Sequence, residues 1–282
     1  MAEVAVLGAG TMGSGIAQVF AQAGYTVRLI EVSPTQLARG MAVIEKNLAR
    51  SVEQSRLPAA EKDAIVRRIA SSSALGDAAR ADLVVEAIHE SLSAKTEVFR
   101  ALDSTCPPDT ILASNTSSIS ITTLGAATTR ADRVIGMHFF NPVPAMKLVE
   151  VVRGFATSDA THAHVLDRAR RLGKEPVAVG DSPGFVANRV LMPMINEGVF
   201  ALYEGVADAA AIDAVMRLGM GHRMGPLELA DFIGLDICLS IMTVLHEGFG
   251  DPKYRPCPLL RQMVAAGRLG RKSGQGFYDY PS

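Results

Sequence analysis

"VAVLGAGTMGSGIAQVFAQAGYTVRLIE", residues 4–31, is the stretch from which the rest of the chain is read. Val4 to Leu7 is a short, uninterrupted apolar run, the pattern of a strand buried on both faces of a parallel sheet. Gly8-Ala9-Gly10-Thr11-Met12-Gly13 follows, and Ile16, Val19, Phe20 and Ala23 then recur at helical spacing. Gly24 is placed to end that helix as a left-handed cap. Thr26 to Ile30 reads as a second strand. The glycines therefore sit between a strand and a helix, inside one βαβ unit.

That context separates a phosphate cradle from a mere tight turn. Gly8 allows the turn, Gly10 lets backbone approach a pyrophosphate, and Gly13 lets helix and strand pack closely. The helix N-terminus adds free N–H groups and a positive dipole end. Glu31 falls at the end of the second strand, where a carboxylate accepts hydrogen bonds from both hydroxyls of an adenosine ribose. It would repel a 2′-phosphate, so the reading is NAD rather than NADP. Arg28, the one nearby base, precedes the acid within the strand. A flavin site or an empty turn is the competing reading of the same glycines.

Composition bounds the rest. The chain has 282 residues with 48% hydrophobic and 20% charged, enough for one large domain or two ordinary ones and too apolar for disorder. A formal net charge of −1 gives no general pull toward nucleic acid, and no basic recognition element is evident. Cys106, Cys238 and Cys257 stand far apart, form no metal-ligand spacing, and read as buried thiols of a reducing compartment. The first apolar run lacks a preceding basic segment and is broken at once by glycine, unlike a signal peptide or membrane span. The expectation is a soluble cytoplasmic protein.

Further along, residues 34–69 are charged and helix-forming, two helices joined near Ser55-Arg56-Leu57-Pro58. Residues 83–87, 110–114, 134–138, 148–152 and 177–179 read as strands, with helices over 91–102 and about 158–172. Ser91 is a candidate N-cap. After "DSPGF" the texture becomes helical. Met192, Ile195, Val199 and Leu202 form one apolar stripe, and 208–218 and 226–245 read as further helices, with Asp208 as a cap and Pro226 in a first turn. The expected architecture is an α/β Rossmann-type dinucleotide-binding domain over residues 1–182, carrying the helix-pair insertion, followed by a smaller all-α domain over 183–282. So many apolar positions in about 100 helical residues point to a homodimer through that second domain. A compact monomer is the alternative.

Redox chemistry at a nicotinamide needs a base. Of six histidines, His162 and His164 lie in a polar helical stretch suited to the surface, and His89, His222 and His246 have no evident partner. His138 ends a buried strand before "FFNPVP", which must turn, and the chain returns through "MKLVEV" with Glu150. Such a turn can bring the carboxylate back onto the imidazole, fixing its tautomer. The pattern alone leaves a catalytic dyad and a satisfied structural histidine both open. "SNTSS", 114–118, follows another buried strand, where ligands bind in such sheets, but its residues also suit a loop and a helix cap.

Taken together, "GAGTMGSGIAQ" (8–18), "VVEAIHE" (84–90), "ASNTSSISIT" (113–122), "GMHFFNPVPAMKLVEVV" (136–152), "DSPGFVANR" (181–189), "MGPLELADFIGLD" (224–236) and "GRKSGQGFYDY" (270–280) resemble the short-chain L-3-hydroxyacyl-CoA dehydrogenase family, its bacterial 3-hydroxybutyryl-CoA members in particular. The segments keep the family's order and cover nearly the whole chain. The resemblance implies reversible oxidation of a (3S)-3-hydroxyacyl-CoA to a 3-oxoacyl-CoA with NAD, the short-chain pair being 3-hydroxybutyryl-CoA and acetoacetyl-CoA. His138 would take the hydroxyl proton, Glu150 would orient His138, Ser117 would hydrogen-bond the reacting oxygen, and Asn188 would hold the acyl portion. Cofactor contacts would come from Gly8, Ala9, Gly10, Thr11, Met12, Gly13, Glu31, Glu90, Lys95, Ser117, Asn141 and Lys272; no metal is implied. Glu90, Lys95 and Lys272 would otherwise read as plain surface charges. One segment departs. Where many bacterial relatives carry several lysines toward the coenzyme A phosphates, this chain reads "NLARSVEQSRLP", with Arg50, Gln54 and Arg56. Arginine suits a phosphate, and Arg50 is the candidate contact. Two other readings compete: a sugar-acid dehydrogenase of the L-gulonate type on the same fold, and a non-catalytic NADH-binding sensor. The intact Ser117, His138, Glu150 and Asn188 argue against the sensor.

Overall fold

The computed structural model describes residues 3–281. The chain divides between Asp181 and Ser182 into two compact units. The first contains β1 (Glu3–Leu7), α1 (Thr11–Gln22), β2 (Thr26–Ile30), α2 (Pro34–Glu53), α3 (Ala59–Arg67), β3 (Ile69–Ser72), β4 (Leu83–Glu86), α4 (Leu92–Thr105), β5 (Ile111–Ser114), α5 (Ile121–Ala126), β6 (Val134–Phe139), β7 (Leu148–Arg153), α6 (Asp159–Arg171) and β8 (Glu175–Gly180).

The strands form one sheet in the order β3-β2-β1-β4-β5-β6-β7-β8. Neighbours run parallel except β6 and β7, which are antiparallel. β4, β5 and β6 are buried along their whole length, which is why they read as continuous apolar runs. The order reverses direction between β1 and β4, so the C-terminal ends of these strands open the crevice where such sheets bind ligands. Helix starts follow the local code. Ser33 accepts from the Gln36 N–H with Pro34 in the first turn of α2, and Ser91 accepts from the Ala94 N–H to start α4. Gly24, at φ +90°, turns the chain from α1 toward β2.

One strand was not legible. The helix pair read as reaching residue 69 stops at Arg67, and Ile69 opens the edge strand β3. Only Ile69 in β3 is buried, and the rest is Ala-Ser-Ser, so no alternation marks it.

The second unit is helical: α7 (Ala187–Tyr203), α8 (Ala209–Met220), α9 (Pro226–Ile233), α10 (Leu235–Phe249) and α11 (Pro258–Ala265). Met192, Ile195 and Val199 of the expected stripe are buried beside Leu227, Leu235, Met242, Leu245 and Leu260, and Leu202 is partly buried. The run read as one helical segment over 226–245 is broken at Gly234, whose φ of +105° no other residue adopts easily, and α9 and α10 meet at a bend of 100°. Asp208 caps α8 through the Ala211 N–H at 2.8 Å. Two buried acids clip the C-terminal segment: Asp231 accepts from the N–H groups of Phe277 and Tyr278, and Asp213 accepts from the Tyr278 hydroxyl at 2.7 Å. Burial outweighs these hydrogen bonds at Asp231 and pushes its carboxyl up. Among the described residues no single helix is long and apolar enough to cross a membrane.

Candidate active site

The glycine loop joins β1 to α1. Gly8 has φ +94°, and a β-carbon there would lie 2.5 Å from the Ala87 carbonyl oxygen of the neighbouring strand connection. At Gly13 it would lie 1.8 Å from the Gly8 carbonyl oxygen, so the helix cannot approach the loop with any side chain present. Gly10 is different, because a β-carbon there meets nothing within 4 Å. Its lack of a side chain keeps open the space before the helix. Gly10 is the N-cap of α1, no side chain caps that end, and no acid occupies the first turn. The N-terminal N–H groups and dipole are thus left for an external anion.

Glu31, the residue after β2, reaches this loop. Its Oε2 accepts from the Ala9 N–H at 3.1 Å and its Oε1 from the Ser33 N–H at 3.1 Å. Gln36 adds a hydrogen bond to the Ala9 carbonyl. Gly8, Gly10, Glu31 and Gln36 line a cleft of about 660 Å³ together with the apolar Leu75, Ile88, Ala94 and Val98 and the polar His89 and Glu97. A volume in the range of small-molecule sites, a phosphate-accepting helix end, a half-buried carboxylate and these apolar side chains fit the pyrophosphate, ribose and adenine of a dinucleotide.

Below the ends of β4 and β5 lies a buried charge network. Glu86, fully buried, accepts from the Lys95 ammonium at 2.5 Å, the Ser114 hydroxyl at 2.6 Å and the Ile88 N–H at 2.7 Å. Lys95, 1% exposed, also pairs with Glu90 at 3.2 Å. Glu90 in turn accepts from the Ser117 N–H at 3.1 Å, the Ser118 hydroxyl at 3.0 Å and the Thr116 hydroxyl. Burial alone would raise the Glu90 carboxyl, but Lys95 and these hydroxyls hold it below the ordinary carboxylate value. Glu90 therefore stays ionised and pins the loop that carries Ser117. Glu86 was missed in the sequence. An acid inside the apolar strand "LVVE" was the available signal, because a buried carboxylate demands a cation and donors.

The antiparallel register of β6 and β7 pairs His138 directly with Glu150. Their side chains meet at 2.9 Å, Nδ1 to Oε2, with His138 8% and Glu150 2% exposed. The expected contact between the two side chains is therefore made. A carboxylate at Nδ1 accepts its N–H and so fixes the tautomer of the imidazole. The Phe140 ring lies 4.6 Å from the imidazole, and Asn115 accepts from the Phe139 N–H at 2.8 Å, tying the β5 loop to the end of β6.

The family model for 3-hydroxyacyl-CoA dehydrogenase, NAD binding domain, matches residues 3–182, and that for its C-terminal domain matches 184–280. The chain belongs to the 3-hydroxyacyl-CoA dehydrogenase family. It is similar to a probable 3-hydroxybutyryl-CoA dehydrogenase of Bacillus subtilis, 59% identical over 99% of this chain and 97% of that one. The 3-hydroxybutyryl-CoA dehydrogenase of Bradyrhizobium diazoefficiens is 54% identical, over 99% of this chain and 95% of that one. The crystal structure of the (S)-3-hydroxybutyryl-CoA dehydrogenase of Ralstonia eutropha superposes with a TM-score of 0.97 at 49% identity, covering 99% of each chain. As a 3-hydroxyacyl-CoA dehydrogenase, the protein is an NAD-dependent oxidoreductase, and the glycine loop and Glu31 lie within its NAD-binding domain.

The remaining expected residues of this dehydrogenase are spread through both units. Asn141 is exposed, three residues beyond His138 on the β6–β7 turn. Arg50, in the last turn of α2, borders a cleft of about 280 Å³ together with Asn47, Ser51, Gln54 and Arg56. In the second unit Asn188 lies in the first turn of α7, after Gly184 and Phe185 at φ +73° and +51°. A positive φ is unusual for phenylalanine, and the turn is held by packing of Gly184 against Leu245. Lys272 pairs with Asp236 at 2.5 Å, which lowers the Asp236 carboxyl against the opposing effect of burial. His164 is exposed as expected, whereas His162 is half-buried. The thiols of Cys106, Cys238 and Cys257 are free and buried, and burial pushes that of Cys238 up to about 12.

Proposed function

We propose that the protein interconverts (3S)-3-hydroxybutyryl-CoA and acetoacetyl-CoA, within the wider class of short (3S)-3-hydroxyacyl-CoA and 3-oxoacyl-CoA thioesters. The observation that carries this reading is the His138–Glu150 pair at 2.9 Å, in the same unit as the glycine loop and the Ser117 loop. In the oxidation direction His138 takes the hydroxyl proton on Nε2 as the C3 hydride leaves. Glu150 holds the opposite N–H and stabilises the imidazolium. Bound NAD supplies the hydride acceptor. Ser117 hydrogen-bonds the reacting oxygen, and Asn188 holds the acyl portion. A positioned base of this kind contributes about 10²–10⁴-fold in rate.

Gly8 to Gly13, Glu31, Glu90, Lys95, Ser117, Asn141 and Lys272 are the cofactor residues in this reading. Lys95 is nearly fully buried, which supports action through Glu90. Arg50 and Arg56 supply phosphate-binding charge for coenzyme A. Two arginines at one cleft suit the several phosphate charges of coenzyme A better than the single carboxylate of a sugar acid, which favours the thioester over the L-gulonate reading. Val206, Val215, Leu218 and Met220 of the second unit are 73%, 61%, 88% and 64% exposed, an apolar surface that supports a homodimer through this unit. The buried free thiols suit a reducing cytoplasm.

The test is NADH oxidation with acetoacetyl-CoA, with NADPH as control, beside NAD reduction with L-gulonate. Turnover with NADH and acetoacetyl-CoA, and little with NADPH, is expected. Turnover on the sugar acid alone, or NADH binding with no turnover on any substrate, would replace the reading.

A further inference from the structure

Lys174 lies between α6 and β8 and is 7% exposed. Its ammonium donates to the carbonyl oxygens of Val143 at 2.5 Å and Met146 at 2.8 Å. Burial pushes the ammonium below the ordinary lysine value, and no carboxylate among the described residues offsets it. A lone buried cation is costly unless its hydrogen bonds do something an apolar side chain could not. Both acceptors lie on the turn between β6 and β7, the segment that leaves His138 and returns to Glu150. The turn is also seated from the other side. Val143 is 2% exposed and packs on Gly15 of α1, where even a β-carbon would come within 2.8 Å of it. The Pro142 carbonyl accepts from the N–H groups of Ala145 and Met146, closing the turn on itself.

We infer that Lys174 is a positioning residue for cofactor binding: it fixes the β6–β7 turn against α1 and so sets Asn141 relative to the glycine-loop helix. This rests on the reading of Asn141 as a cofactor residue. The buried cation serves the turn because two carbonyl oxygens, unlike a carboxylate, leave the backbone path itself as the thing held. Lys174 sits outside the sheet-end network of Glu86, Lys95 and Glu90, so its effect reaches the cofactor by a separate route.

The experiment is a fluorescence titration of NADH binding, with kcat and KM for NADH, on Lys174→Met, Asn141→Ala and the double variant; Val143→Ala loosens the same turn from the α1 side. The expected results are an NADH dissociation constant raised about tenfold in Lys174→Met, kcat at saturating NADH within threefold of wild type, and a double variant no weaker than Asn141→Ala alone. Val143→Ala shows the same split and serves if Lys174→Met does not fold. Unchanged NADH binding in a folded Lys174→Met or Val143→Ala, with only a lower melting temperature, would make the contact a structural staple and overturn the inference. Additive effects in the double variant would also overturn it, because Lys174 would then not act through Asn141. Normal NADH binding in Asn141→Ala is a different failure, that of the cofactor reading of Asn141, and removes the inference with it.

Discussion

The β1–β2 side of the sheet and the β5–β7 side prepare the site by different means. On the first, glycines keep space open and leave helix N–H groups uncapped, and one carboxylate, Glu31, braces the loop through the Ala9 N–H. On the second, side chains from separate segments are brought together: Ser117 by Glu90, and His138 to Glu150 by strand register. The first side works through absent side chains and backbone, so it depends on local conformation. The second works through side chains whose meeting depends on pairing across the sheet. Damage to the first should appear as failed folding or failed cofactor binding. Damage to the second should appear in the chemical step.

The largest expected effect separates two glycines within one motif. Gly13→Val forces a side chain onto the Gly8 carbonyl and should cost more than about 4 kcal/mol, leaving little folded protein by circular dichroism. Gly10→Val meets open space, so it should keep the wild-type melting temperature and lose NADH binding. Equal melting temperatures for the two variants would break the distinction between packing and ligand-facing glycines.

Glu31→Ala should be next. Loss of charge-assisted hydrogen bonds to a ribose, worth about 1.5–3 kcal/mol, predicts NADH binding weakened roughly 10–100-fold, with KM for acetoacetyl-CoA unchanged. A titration showing wild-type NADH affinity would remove Glu31 from the cofactor side.

The smallest effect concerns Glu90. Its folded carboxyl is held below the ordinary value, so its contribution to stability is fully present above the unfolded value, about 4.3, and fades as pH falls through the folded value. Glu90→Gln should melt on the order of 1–3 °C below wild type at pH 7, a modest gap because Glu90 is partly exposed, and the gap should close as pH falls through the lowered folded value. A gap that widens in acid would contradict the assignment of Glu90 as a pinned anion.

The same contrast explains what the sequence made legible. The glycine loop and Glu31 occupy 28 consecutive residues, residues 4–31, with strand, turn, helix and strand each marked by its own period. His138 and Glu150 are 12 apart, and only the antiparallel register turns that separation into contact; pattern alone left a structural histidine equally open until family resemblance was added. Glu86 went unread because strand patterning treats "LVVE" as one buried run and does not ask what neutralises its acid. β3 was lost because an edge strand with one buried residue has no period to detect. The break at Gly234 was hidden because both α9 and α10 are apolar enough to continue each other's pattern, and only the glycine's positive φ divides them.

The most direct test of the account is His138→Gln, measured twice on the same preparation: kcat for NADH oxidation with acetoacetyl-CoA, and NADH affinity by fluorescence. The account predicts a fall in kcat of about 10²–10⁴-fold with NADH affinity unchanged, since the dyad serves the proton and the glycine loop serves the cofactor. Near-normal turnover, or loss of NADH binding in parallel with kcat, would contradict it.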